Sequence, residues 1–95
     1  MKKPTVTELA RSDLDKIWDH IALQNPTAAD RLIDSIHSHC VKLAAAPHLG
    51  RKRPDFAEGI HSYRVKNYFI YYFATDAGIE VARVLHGARD LPKLF

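Results

Sequence analysis

The chain has one cysteine, Cys40, so no disulfide can form within it, and a reducing compartment is expected. Glycine is scarce, at four residues, and proline, at five, is not enriched, which excludes collagen-like and low-complexity chains. No apolar run approaches membrane-spanning length. Met1-Lys2-Lys3 is basic, but the apolar core of a signal peptide does not follow it. There is no internal repeat. The expectation is one cytoplasmic domain spanning residues 1–95, with no membrane association. The net charge of +3 suits an acidic protein partner or nucleic acid and decides neither.

What the chain does have is concentrated between Ile60 and Asp90, which holds six of the nine aromatic residues and seven of the sixteen β-branched ones. These types suit a pleated, half-buried surface. They predict strands over Ile60–Val65, Tyr68–Ala74 and Ile79–His86. Lys66-Asn67 and Asp76-Ala77-Gly78 form the turns, with Gly78 free to take positive φ.

Before this meander, Thr5–Leu9 is a short predicted strand. Ser12 reads as a helix cap, with Asp13 and Asp15 in the first turn, near the positive end of the helix dipole. The helix is predicted over about Asp13 to Leu23. Leu14, Ile17, Trp18, Ile21 and Ala22 make one apolar stripe, with Lys16 and His20 facing away. Asn25 and Pro26 open a second helix that runs to about Ala45. Its stripe is Ala29, Leu32, Ile33, Ile36, Cys40, Leu43 and Ala44. So short a connection predicts an antiparallel helix hairpin. The stretch from His48 to Glu58 reads as irregular, with Phe56 anchoring it. The fold class is α+β: an N-terminal strand, a helix hairpin, then a three-stranded antiparallel meander under it. The apolar tail Leu91–Phe95 is expected to pack back on the domain.

Several runs then match a known family. They are Ser12-Asp13-Leu14 with Ile17, Asn25-Pro26-x-Ala28-Ala29, Pro47-x-x-Gly50-Arg51, Tyr63-Arg64-Val65, Tyr68-x-Ile70-x-Tyr72, and Arg83-Val84-Leu85-His86-Gly87-Ala88-Arg89-Asp90. The chain resembles the ParE branch of the RelE/ParE superfamily, the toxins of bacterial type II toxin–antitoxin modules, over nearly its whole length. The resemblance implies the same fold and a cognate antitoxin partner. It leaves the target open, since RelE-like members cut mRNA on the ribosome whereas ParE-like members inhibit DNA gyrase.

Ribonucleases of the superfamily stabilise charge at the scissile phosphate with arginines and move a proton with a C-terminal tyrosine or histidine. By this resemblance Phe69 stands where one arginine would be, Arg89 matches a second, and Phe95 stands where the tyrosine would be. A phenyl ring neither binds a phosphate by charge nor exchanges a proton. The expectation is a non-enzymatic toxin without a cofactor that binds gyrase and makes no sequence-specific contact with nucleic acid. Two alternatives stand beside it. One is a RelE-type endonuclease using His61 or His86, and the other is a degenerate member that binds antitoxin without toxicity.

Arg64, Lys66, Arg83, His86, Arg89 and Asp90 are the candidates for target or antitoxin binding. Four of them also have a plain structural reading. Arg64 and Arg83 can point to solvent from the uncovered sheet face, and Arg89-Asp90 can be an ion pair or cap. Arg51-Lys52-Arg53 reads as a solvated loop. His37, His39 and Cys40 share a helix, but Cys40 lies on the apolar stripe, so a small buried hydrophobe outweighs a metal ligand. Trp18 reads as core.

Overall fold

The computed structural model describes residues 1–87. Strand β1 (Lys3–Val6) leads into helix α1 (Glu8–Ala22), then α2 (Pro26–Ala45). A 3-10 turn at Pro47–Leu49 and a two-residue strand, β2 (Arg51–Lys52), give order to part of the stretch expected to be irregular. The meander follows as β3 (Ile60–Val65), β4 (Tyr68–Thr75) and β5 (Gly78–His86).

The sheet order is β1-β5-β4-β3-β2, with β1 parallel to β5 and the other pairs antiparallel. The first strand thus lies beside the last, with Lys3 opposite Gly78. A Cβ on Gly78 would fall 2.2 Å from the Lys3 carbonyl oxygen, and its φ of 141° suits glycine alone.

The hairpin covers one face. Leu32, Ile36, Leu43, Ile70, Tyr72, Ile79, Val81 and Val84 meet there in one buried cluster. Cys40 is buried in it, and burial pushes its thiol up to about 11. The opposite face carries a smaller cluster of Ile60, Tyr71 and Leu85, with Phe56, Ala57, Phe69 and Phe73 packed against it. Phe56 anchors its loop as expected, with its ring edge-on to Tyr71 at 5.8 Å.

Three expectations about the first helix are corrected. It begins at Glu8, because Thr7 rather than Ser12 is its cap: the Thr7 hydroxyl accepts from the Ala10 amide at 3.1 Å. The strand before it therefore ends at Val6 instead of Leu9. Asp13 then falls in the second turn and is buried, only 5% exposed, so it serves a tertiary contact rather than the helix dipole. Trp18, expected in the core, is 37% exposed at the rim of the hairpin, where its Nε1 donates to Asp30 Oδ1 at 2.8 Å. The indole N–H draws the ring toward a polar partner that the core does not offer. Asn25 caps α2 as expected, accepting from the Ala28 amide at 3.0 Å.

Candidate functional site

Two regions can carry function: the sheet face away from the helices, and a trough at the sheet end where the helix hairpin turns.

The face away from the helices follows from register. Arg51, Ser62, Tyr71 and Arg83 are successive cross-strand partners, and Arg64, Phe69 and Leu85 form the next row. Arginines on such a face could cradle a phosphate, but Arg53, Arg64 and Arg83 make hydrogen bonds within the chain. Arg64 Nε donates to the Lys66 carbonyl at 2.6 Å. Arg53, from the loop, donates through Nε and Nη2 to the Asp55 carboxylate and lies 4.1 Å over the Phe56 ring. The Arg53 hydrogen bond lowers the Asp55 pKa, keeping that partner ionised.

Arg83 was expected to point to solvent. Instead its Nε and Nη2 donate to Asp13 at 2.8 and 3.0 Å. A β-bulge explains this. Tyr71 pairs with Arg83 but Tyr72 with Val81, so Ala82 is an extra residue on β5. Past Val81 no described strand lies along this edge of β5, and α1 closes it instead. Asp13 Oδ2 accepts from the Val84 amide at 3.1 Å, and the Thr7 hydroxyl donates to the Ala82 carbonyl at 3.2 Å.

Neither histidine considered as a proton carrier is on this face. His61 pairs with Tyr72 and stacks on it at 5.3 Å, on the helix side. His86 pairs with Tyr68 and meets its ring edge-on at 5.4 Å, also on the helix side. The phenol that does face this way, Tyr71, has its pKa raised by burial, which makes it a poorer base near neutrality. Phe69 lies beneath the exit of β5, and a Cβ on Gly87 would come 2.5 Å from its ring. The glycine of the His86-Gly87 run is thus fixed by the close passage of backbone over Phe69.

The trough lies between α1, the start of α2 and the β3–β4 turn. Its narrow end holds about 120 Å³, and two broader reaches hold about 430 and 350 Å³, with His20 lining all three. Lys66 and His86, both candidates from the sequence, meet here with Lys16, His20 and Tyr68, which sequence reasoning missed. Lys66 is in the left-handed region at φ 55°, a conformation that a residue with a Cβ rarely adopts. The sequence carried a partial signal for His20, four residues beyond Lys16 on the same helix. Nothing in the sequence showed that His86 would come to meet it. Arg89, Asp90 and Phe95, and the packing of the tail, lie outside the described residues. No described helix is long and apolar enough to cross a membrane.

Comparison with known proteins gives one consistent result. The model of the family described as the ParE toxin of the type II toxin–antitoxin system parDE matches residues 5–91. Toxin ParE3 of Caulobacter vibrioides is 28% identical over 86 residues, covering 90% of this chain and 86% of that protein. Toxin RelE3 of the same organism is 31% identical over 87 residues, covering 90% and 95%. Among solved structures, a chain of the chromosomal ParDE system of P. aeruginosa superposes with a TM-score of 0.75 at 22% identity, covering 90% of this chain and 96% of that one.

Proposed function

The chain belongs to the ParE toxin family of type II toxin–antitoxin systems, and from that premise we propose that it arrests growth by binding DNA gyrase and is neutralised by a cognate antitoxin. In this reading it is not an enzyme and needs no cofactor. The observation that carries the proposal is the sheet face away from the helices. There the place of a charge-stabilising arginine is taken by Phe69, packed with Phe73 around Tyr71. Arg53, Arg64 and Arg83 are held by partners within the chain. His61 and His86 lie on the other side of the sheet.

A ribonuclease needs both a positive cradle and a group that moves a proton, and the proton transfer alone contributes roughly 10²–10⁴ in rate. A face without the proton-moving group can still bind. The test pairs gyrase supercoiling with primer extension on ribosome-bound message, using the purified protein. The expected result is inhibited supercoiling, or accumulated cleaved gyrase–DNA complexes, beside intact message. Cuts in the message that vanish in His61→Ala or His86→Ala would replace this reading with a RelE-type endonuclease.

A further inference from the structure

We infer that the outer sheet edge, at β2 and the end of β3, is a sequence-indifferent contact for the phosphate backbone of duplex DNA. This rests on the reading above, because gyrase, the target in that reading, works on DNA. The contact brings the toxin to gyrase that is already engaged on its substrate.

The first observation is where the net charge sits. Residues 51–66 carry five bases, Arg51, Lys52, Arg53, Arg64 and Lys66, against two acids, Asp55 and Glu58. That excess of three equals the net charge of the whole chain. Before residue 51 six bases balance six acids, and after residue 66 three balance three. Charge gathered in this way on one stretch is the electrostatic footprint of a polyanion site.

The fold then places the unneutralised part of this charge together. β2 is the outermost strand of the sheet. Arg51 is opposite Ser62, Lys52 is opposite His61, and Arg64 lies two residues beyond Ser62. Arg51 and Arg64 are thus diagonal neighbours on one face, roughly 7 Å apart, with Lys52 beside them. All three are exposed. Arg53 and Arg83 are neutralised by the carboxylates of Asp55 and Asp13. Arg64 differs, because its Nε donates to the Lys66 carbonyl, which carries no charge. That bond uses one of five guanidinium donors and braces the rest. Among the described residues the side chains of Arg51 and Lys52 make no hydrogen bond or ion pair. Lys66, in the turn that ends β3, adds charge at one end of the strip.

A polyanion fits this edge better than an acidic protein does. Strand addition needs a run of free backbone donors and acceptors. The Arg53 amide donates to the Ile60 carbonyl at 2.9 Å, so Arg51 and Arg53 turn their backbone groups inward. Lys52 alone faces outward on β2, and Pro54, next in the alternation, has no N–H. A docked protein would also need an apolar centre. Of the exposed large hydrophobics only Leu49 is close to β2 in the chain. Side chains that meet phosphates carry no sequence information, hence the indifference to sequence. With no group to move a proton, the bound backbone stays uncut.

The test titrates the full-length protein, without gyrase or antitoxin, into a labelled duplex of about 20 base pairs at about 50 and 200 mM salt. Three phosphate contacts predict a log–log salt slope of about −2.7, which is about a 40-fold loss of affinity over that range. Two duplexes of unrelated sequence should bind within about twofold of each other. Arg51→Glu/Lys52→Glu should weaken binding about tenfold or more and bring the slope to about −1. Arg31→Glu/Lys42→Glu, an equal change of charge at exposed residues of α2, should keep the slope. Thermal unfolding of each variant separates loss of binding from loss of fold. A slope near zero, or a folded edge variant with the wild-type slope, would overturn the proposal. Polyglutamate that competes as well as the duplex at equal charge would overturn it in favour of an acidic protein. Single-stranded RNA that binds more tightly than the duplex would overturn it in favour of RNA. Gyrase supercoiling assayed beside these titrations keeps the two readings apart. Inhibition by a toxin that does not bind the duplex removes the DNA contact and leaves the gyrase reading. Duplex binding through the edge without inhibition removes the gyrase reading and leaves the contact.

Discussion

On the helix side of the sheet, Ile36, Leu43 and Ile70 are at most 1% exposed, and each packs in a cluster that draws on both helices and three strands. On the other side, Phe56, Phe69 and Phe73 are only half-buried, and Phe56 and Ala57 come from a loop instead of a helix. The same apolar residue types therefore do different work. One face supplies most of the stability, and the other is a thinner layer of aromatic rings. At the margins of both lie exposed bases such as Lys16, His20 and Lys66.

The sharpest way to break this contrast is on the helix side. Ile36→Ala should lower stability by about 2–5 kcal/mol, as for a filled core position, measured by chemical denaturation. A value near zero would mean that the cluster can collapse around the loss. Next is the bond between α1 and the β5 edge. Asp13→Ala leaves Arg83 and the Val84 amide without their acceptor. Because the Arg83 side chain is partly exposed, the expected cost is about 1–3 kcal/mol, below that of a fully buried pair. Phe56→Ala, on the thinner face, should cost about 1 kcal/mol, since only part of the ring's surface is lost. If it cost as much as Ile36→Ala, the two faces would have to be regarded as equal. Smallest of all, Trp18→Phe should fall within about 0.5 kcal/mol in the same assay, because it removes one exposed hydrogen bond.

Much of the fold was legible in the sequence, for identifiable reasons. The meander strands came from aromatic and β-branched runs between turn residues, and β3 begins and ends at the predicted residues. The second helix was marked by Asn25-Pro26 at one end and Pro47 just beyond the other. The first helix was misplaced because two plausible caps, Thr7 and Ser12, lie five residues apart. Only contact with Ala82, 75 residues away, shows which hydroxyl is used. The bulge at Ala82 was equally hidden, since an extra residue in a strand breaks no composition rule. Of the candidate site, Lys66 was found as a base in the β3–β4 turn and His86 as part of the run that ends β5. His20 was passed over because a histidine on the polar side of a helix carries no sign of what will fold against it.

The parallel pairing of β1 with β5 has a consequence for how the protein comes into being. Lys3 meets Gly78 across nearly the whole chain, so this seam can close only after almost every residue has been synthesised. The Asp13 bond to Val84 waits on the same event. A nascent chain still lacking β5 holds α1 without the strand that anchors it, and the trough, walled on one side by His86, does not yet exist. This surface therefore forms only after β5 has been made, and a chain released before then would lack the finished sheet.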